Sequence, residues 1–221
     1  MGVRKIEEKA VFLDRDGVIT RNVFNPAAKE WESPLEPKDF QLLPGVLRSL
    51  LQLQEHDFRL FLISNQPSYA KGKTSLENIK AIHERLHSVL RDRSICFTDY
   101  FYCYHHPQGI VPQFTGSCAC RKPGTLFIEE AKAKYSLDME SSWMVGDRDT
   151  DIVCGRRMGL RTILICRTEE IGSGRAGKSA PDFKADDLPE AAEIIIQNSQ
   201  KDQRLGFGNG EKDVVDRCTQ D

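Results

Sequence analysis

Short continuous apolar runs alternate along the chain with segments whose apolar residues recur at helical spacing. The runs predict buried strands over 10–13, 58–63, 99–104, 142–146 and 161–166. The helical spacing predicts helices over 45–57, 76–93, 124–135, 149–158 and 188–197, the second of them capped by Thr74 with Glu77. Strands that alternate with helices predict a doubly wound α/β fold, in which a parallel sheet carries helices on both faces.

The domain organisation follows from where this periodic pattern stops. We expect one domain over 1–197 and a disordered tail over 198–221, where the sequence is polar and contains glycine. Residues 20–37 have no clear periodicity and predict a long loop, in which Trp31 could line a substrate site. No insertion is long enough to form a large cap domain.

Composition narrows the class of partner. The chain has 31 Lys and Arg against 33 Asp and Glu, a net charge of −2 that disfavours nucleic acid as a partner. No apolar run reaches the roughly 18 to 20 residues of a membrane span, and the charged first nine residues lack a signal-peptide core. We therefore expect a cytoplasmic protein that acts on a small molecule and, without a large exposed apolar segment, is a monomer.

Polar residues follow the apolar runs where the ligand crevice of an open α/β sheet forms. Asp14 and Asp16 follow the first strand, Ser64 follows the second and Asp147 follows the fourth, while Lys122 precedes a helix. Asp14 and Asp16 are two positions apart and point the same way from an extended segment. Paired carboxylates repel each other unless a cation joins them, and with Asp147 they form a hard oxygen shell. The sequence therefore predicts a Mg²⁺ site.

These residue types suit the hydrolysis of a phosphate ester in two displacements. Asp14 would attack phosphorus and form an aspartyl-phosphate. Asp16, given a raised pKa, would protonate the leaving group and then activate water. Lys122 and Ser64 would hold the phosphoryl oxygens as charge develops on them.

A second cluster lies within 103–120, where three cysteines crowd two histidines. Tetrahedral zinc would be bound by Cys103, Cys118, Cys120 and either His105 or His106. A shell filled by protein leaves no position for an activated water, so we expect a structural zinc that holds the loop before Lys122.

Four segments, in this order, resemble the motifs of haloacid dehalogenase (HAD) superfamily phosphatases: Phe12-Leu13-Asp14-Arg15-Asp16-Gly17-Val18, Ile63-Ser64-Asn65-Gln66, Cys120-Arg121-Lys122-Pro123 and Val145-Gly146-Asp147-Arg148. The resemblance covers 11–166. The cysteine-rich stretch is similar to the zinc-containing branch of histidinol-phosphate and D-glycero-D-manno-heptose 1,7-bisphosphate phosphatases. It implies the HAD-like Rossmannoid fold with a zinc-stabilised loop over 103–120, and His105 rather than His106 as the fourth ligand.

The resemblance also implies residue roles. Asp14 would be the nucleophile and a magnesium ligand, Asp16 the acid/base with its backbone carbonyl on magnesium, and Asp147 the remaining carboxylate ligand. The implied substrate contacts are Asn65, Gln66, Arg121 and Arg148. Two segments depart from the pattern of the heptose enzymes, namely Pro67-Ser68-Tyr69 and the longer loop over 20–37.

The resemblance implies hydrolysis of a sugar bisphosphate in carbohydrate metabolism, with heptose 1,7-bisphosphate as the first candidate. Arg121 beside Lys122 favours a substrate with a second anionic group, which a bisphosphate has. Histidinol phosphate, or another small-molecule phosphate, is the nearest alternative substrate. A polynucleotide end phosphatase and a non-catalytic zinc-stabilised binding module are the remaining alternatives.

Overall fold

The computed structural model describes residues 7–26, 29–166 and 179–205. Its strands are β1 (Glu8–Leu13), β2 (Val23–Asn25), β3 (Glu30–Glu32), β4 (Arg59–Asn65), β5 (Phe97–Cys103), β6 (Leu137–Gly146), β7 (Arg161–Ile165) and β8 (Phe183–Ala185). Its helices are α1 (Val46–Glu55), α2 (Leu76–Arg91), α3 (Leu126–Tyr135), α4 (Asp149–Arg157) and α5 (Leu188–Leu205), with short 3₁₀ helices at Pro37–Asp39 and Pro112–Phe114.

Six parallel strands form the main sheet in the order β5-β4-β1-β6-β7-β8. The chain builds the sheet outward from β1, first through β4 to β5 and then through β6 to β8, so the strand order reverses beside β1. In sheets of this kind the ligand crevice lies outside the carboxyl ends of the strands at the reversal. The predicted doubly wound α/β fold is confirmed, and it places a site at the end of β1.

Side chains of β1 alternate between two apolar cores. Val11 and Leu13 join the core that packs against α1, α2 and α5. Ala10 and Phe12 join the core on the other face, against α3 and α4. All four residues are completely buried. A parallel strand covered on both faces has no polar positions, which explains why it was recognised as a continuous apolar run.

Helix α2 begins one residue later than its predicted cap implied. Ser75 is the N-cap, and its hydroxyl accepts a hydrogen bond from the Asn78 backbone N–H at 3.1 Å. Thr74 donates its hydroxyl to the Leu35 carbonyl instead. The two adjacent hydroxyls are equally good caps by sequence, and the tertiary contact to Leu35 decides between them.

Three other predictions are corrected by the structure. The segment over 20–37 was predicted as a loop but contains the antiparallel hairpin β2–β3, and β8 was not predicted. These strands have only three residues each, too few for a periodic signal. Helix α5 continues to Leu205, so the predicted disorder is wrong for 198–205, where no glycine or proline interrupts the helix. Residues 206–221 of the predicted tail lie outside the described residues.

Around the site, the described chain carries the β2–β3 hairpin and the loop between β5 and α3 rather than a separate cap domain. Among the described helices, none has the length and apolar character needed to cross a bilayer.

Candidate active site

The carboxyl ends of β1 and β4, together with the loops around them, enclose a cavity of about 1200 Å³. Six of the predicted catalytic and substrate-contact residues line it: Asp14, Asp16, Asn65, Arg121, Lys122 and Arg148. Parallel strands bring their carboxyl ends to one edge, and so residues that are far apart in sequence converge there.

Lys122 is the centre of the polar contacts at the base of this cavity. Its ammonium nitrogen donates to Asp14 Oδ1 and to the Ile63 carbonyl at 2.7 Å each, and pairs with Asp151 Oδ1 at 2.7 Å. Burial lowers the pKa of Lys122, but attraction by Asp14 and Asp151 outweighs burial and raises it above its usual value. Lys122 is therefore a permanent cation between two carboxylates.

Three buried carboxylates stand close enough to share one ion. Oxygens of Asp14, Asp147 and Asp151 lie within 4.8 Å of one another. Burial raises the pKa of Asp14 to about 6, and Asp151 and Asp16 add to the effect, while Lys122 opposes it. Oxygen ligands gathered in this way fit Mg²⁺, which is bound through a few carboxylates together with substrate phosphate and water.

Two glycines permit this close grouping. Gly17 has φ of +89°, and a Cβ there would lie 2.2 Å from Asp147 Oδ2. A Cβ on Gly146 would lie 2.2 Å from the Asp151 Cβ. A side chain at either position would displace a carboxylate, so the motif requires glycine at both.

The Asp16 carboxylate does not belong to the three-carboxylate group, where its side chain was a predicted magnesium ligand. It accepts two hydrogen bonds from the Arg15 guanidinium at 2.9 and 3.0 Å, one from Gln66 Nε2 at 2.6 Å and one from the Thr20 hydroxyl at 2.8 Å. Burial raises the pKa of Asp16, but Arg15 and the hydrogen bonds outweigh it and hold the pKa below its usual value. The prediction of a raised pKa is therefore wrong for this arrangement, and Asp151 takes the third place in the carboxylate group.

Asn65 and Gln66 form hydrogen bonds that position the Lys122 loop and the Asp16 carboxylate. Asn65 donates to the Lys122 carbonyl at 3.2 Å and accepts from the Lys122 backbone N–H at 3.0 Å, which fixes the lysine loop. Gln66 is buried; its amide nitrogen donates to Asp16 and to the buried Ser64 hydroxyl, and its oxygen accepts from Arg15. We expected Gln66 to contact substrate, but every hydrogen-bonding group described for it faces the protein.

Cations surround the outer part of the cavity. Lys71 and Lys73 line it together with Arg121 and Arg148. Burial lowers the pKa of Lys71, and the neighbouring cations Lys73, Arg121 and Arg148 lower it further. Neither lysine was predicted to reach the site, because no local sequence pattern indicates that the segment after β4 lies over the cavity. The clustered positive charge suits an anionic ligand.

The predicted zinc ligands come together at the end of β5 and in the loop between β5 and α3. The sulfur of Cys103 lies 3.6 Å from that of Cys118 and 3.2 Å from that of Cys120, and His105 Nδ1 lies 3.7 Å from the Cys120 sulfur. Ligand atoms around a tetrahedral zinc with bonds of about 2.3 Å stand roughly 3.8 Å apart, so the group fits this ion. His106 instead accepts a hydrogen bond from the Gln108 backbone N–H, in agreement with the choice of His105.

The zinc group is joined to the phosphate-binding side of the site. Arg121 donates to the His105 carbonyl at 3.2 Å, and Lys122 follows Cys120 after one residue. Ordering of this loop therefore orders both cations.

Comparisons with known proteins agree with this geometry. The HAD-hydrolase-like family matches residues 119–191. D-glycero-beta-D-manno-heptose-1,7-bisphosphate 7-phosphatase of Escherichia coli is 32% identical over 195 residues, which are 87% of this chain and 95% of that protein. D-glycero-alpha-D-manno-heptose-1,7-bisphosphate 7-phosphatase of Photorhabdus laumondii is 33% identical over 160 residues, which are 72% of this chain and 83% of that protein.

A solved structure gives the same result. D,D-heptose 1,7-bisphosphate phosphatase from B. bronchiseptica, complexed with magnesium and phosphate, superposes with a TM-score of 0.69 at 27% identity. The match covers 86% of this chain and 99% of that one. Taken with the carboxylate group and the zinc-ligand group, these similarities show that the chain belongs to the HAD phosphatase family, in the branch of the heptose bisphosphate phosphatases.

Proposed function

We propose that this protein is a magnesium-dependent phosphatase that removes one phosphate from a sugar bisphosphate, D-glycero-D-manno-heptose 1,7-bisphosphate, through an aspartyl-phosphate on Asp14. The observation that carries the proposal is the position of Asp14. Its carboxylate lies against Lys122 at 2.7 Å and shares a buried group with Asp147 and Asp151. Relatives that cover most of the chain are named for this reaction.

In the first displacement, Asp14 attacks the phosphorus and the sugar hydroxyl leaves. Lys122 stays charged throughout and stabilises negative charge on the phosphoryl oxygens. Magnesium held by Asp14, Asp147 and Asp151, and by the Asp16 carbonyl as the resemblance implies, would neutralise further charge on those oxygens. The buried Ser64 hydroxyl is proposed as a further contact to the phosphoryl group.

Asp16 transfers the protons. A dianionic phosphate beside Asp16 raises the pKa of its carboxyl, which favours the protonated form that a departing alkoxide needs. Once that proton is given away, the same carboxylate accepts a proton from the water that hydrolyses the aspartyl-phosphate. Arg15 and Gln66 hold the carboxylate in place during both steps.

The outer cations favour a substrate with two phosphates over histidinol phosphate. Lys71, Arg121 and Arg148 mutually repel in the absence of a ligand, and Lys71 is already destabilised as a cation by burial. A second phosphate placed among them relieves this repulsion with charge-assisted hydrogen bonds. A substrate whose other end is neutral or cationic does not relieve this repulsion.

We further propose that the zinc group is structural, and that the enzyme works as a cytoplasmic monomer in carbohydrate metabolism, without a nucleic-acid or membrane partner. The even charge balance supports the absence of a nucleic-acid partner.

Magnesium-dependent phosphate release from purified protein tests the proposal. The panel is both anomers of heptose 1,7-bisphosphate, other sugar phosphates and histidinol phosphate, with Asp14→Asn as the control. We expect the highest kcat/KM with a heptose bisphosphate. A higher kcat/KM with histidinol phosphate would overturn the substrate, and no magnesium-dependent release above the control would overturn the activity itself.

A further inference from the structure

An aromatic pair forms part of the cavity wall. Phe24 of β2 and Trp31 of β3 lie directly opposite each other in the hairpin, with ring centroids 5.4 Å apart. Both line the cavity. Phe24 is 46% exposed, and it is one of two large apolar side chains among the described residues that are strongly exposed. The mechanism proposed above uses neither ring.

The hairpin that carries these rings is anchored to the segment between β4 and α2. Glu32 forms an ion pair with Lys73 and accepts a hydrogen bond from Asn25 across the hairpin. Just beyond the hairpin, the Leu35 carbonyl accepts a hydrogen bond from the Thr74 hydroxyl. The rings therefore stand on a supported element, which lowers the entropy cost of binding against them.

The size of the cavity indicates what the rings could contact. Its volume of about 1200 Å³ exceeds what a phosphate group alone occupies. The carboxylates and Lys122 account for one phosphoryl group, and Lys71, Arg121 and Arg148 account for a second anion. The aromatic pair is left for an uncharged part of the ligand. A sugar ring offers such a part, since its C–H groups form an apolar face that packs on aromatic rings.

We propose that Phe24 and Trp31 form a platform that binds the C–H face of the sugar ring and thereby selects cyclic sugar phosphates over small acyclic phosphates. The platform rests on the proposed function, because it concerns the substrate of the same site. It acts on binding, since neither ring carries a group that exchanges a proton near neutral pH. Its loss therefore raises KM and leaves kcat nearly unchanged.

The kinetic test compares two substrates in the parent protein, Trp31→Ala and Trp31→Phe. With heptose 1,7-bisphosphate we expect Trp31→Ala to raise KM about tenfold at nearly constant kcat, and Trp31→Phe to restore most of the loss. With acetyl phosphate, which has no ring, the three proteins should be equal. Ile110→Ala is the matched control, because Ile110 is 73% exposed and does not line the cavity. An unchanged KM in Trp31→Ala, or an equal loss with acetyl phosphate, would overturn the platform.

A binding test needs no turnover and so separates the platform from the proposed activity. The chain has two tryptophans, and Trp143 is 1% exposed, so ligand-dependent fluorescence reports on Trp31. In Asp14→Asn, heptose 1,7-bisphosphate and other cyclic sugar phosphates should change the emission, whereas inorganic phosphate should not. A response to another cyclic sugar phosphate together with failed heptose turnover would keep the platform and reject the heptose. No response to any cyclic sugar phosphate would reject the platform even if phosphatase activity stands.

Discussion

The two candidate metal groups are built in opposite ways. The carboxylates Asp14, Asp147 and Asp151 are all buried, with Asp14 after β1 and the other two after β6, its neighbour in the central sheet. In the zinc-ligand group, Cys103 ends the edge strand β5 and the other ligands lie in the loop that follows it. Strand pairing positions the first group, whereas the loop ligands of the second would be held together by an ion.

This difference predicts separate effects on the catalytic rate and on the stability of the fold. Three buried carboxylates around one lysine carry excess negative charge, which is unfavourable for folding but useful for binding a cation and attacking phosphate. Three of the four zinc ligands, by contrast, lie in a loop with little apolar core of its own, where a structural zinc would contribute folding free energy. Damage to the first group should reduce rate, and damage to the second should reduce stability.

The largest effect is expected at Asp14. Asp14→Asn removes the nucleophile, and we expect kcat to fall by at least about 1000-fold. Lys122 keeps its pairing with Asp151 at 2.7 Å, so thermal unfolding should shift little. Magnesium-dependent phosphate release and a melting curve on the same sample measure both. Residual activity within about tenfold of the parent would exclude Asp14 as the nucleophile.

Loss of a zinc ligand should reverse this pattern. We expect Cys118→Ala to lose zinc and to lower the free energy of unfolding by about 3 kcal/mol or more, because the loop then lacks the metal that cross-links its ligands. Zinc content and urea unfolding measure the change. Cys166→Ala, at an exposed cysteine outside the group, is the matched control. Parent-like stability in zinc-free Cys118→Ala would contradict a structural zinc.

A smaller loss of rate is expected at Asp151, with Asp149 as its control on the same helix. Asp151 shares the carboxylate group and pairs with Lys122, whereas Asp149 Oδ1 accepts a hydrogen bond from the Ser179 backbone N–H. Asp151→Asn should reduce kcat about 100-fold and raise the magnesium concentration needed for half-maximal activity, while Asp149→Asn should do neither. Titration of both variants with magnesium, followed by phosphate release, measures this difference. Equal behaviour would remove Asp151 from the metal group.

A substitution at Gln66 tests whether its hydrogen bonds to Asp16 and Ser64 contribute to the rate. Gln66→Ala removes the amide that joins Asp16 to Ser64, and we expect kcat to fall about 10- to 100-fold with KM nearly constant. If Gln66 touched substrate instead, KM would rise. Steady-state kinetics with the best substrate separates these outcomes.

The last prediction concerns stability at low pH rather than rate. Burial and the nearby Arg15 lower the pKa of His83, which stacks on Tyr102 at 3.6 Å between ring centroids, to about 3. Between an unfolded-state pKa of about 6.5 and this value, the unfolded chain binds the additional proton. His83 therefore lowers the free energy of unfolding as pH falls, by up to about 1.4 kcal/mol per pH unit. His83→Phe keeps the ring and should flatten the dependence in urea unfolding at several pH values; an unchanged slope would contradict it.

Much of the chemistry could be predicted because it is encoded locally. Three short-range patterns each have a direct physical meaning: the apolar run before Asp14, the glycine at position 17, and the spacing of Cys118 and Cys120. The same holds for the alternation of strands and helices that predicted a parallel sheet. Local patterns failed for the hairpin β2–β3 and for the choice between Thr74 and Ser75, where the deciding contacts lie far along the chain.

The sequence by itself determined the fold class, the reacting residue types and the three cysteines of the zinc-ligand group, because periodicity, turn chemistry and close spacing act over a few residues. Only the tertiary structure decided that Asp151 joins the carboxylate group while Asp16 is held by Arg15 and Gln66, and that Lys71, Phe24 and Trp31 reach the cavity. Those outcomes depend on where a side chain points and what packs behind it. The positions of these side chains relative to one another are set only when the strands and loops are brought together.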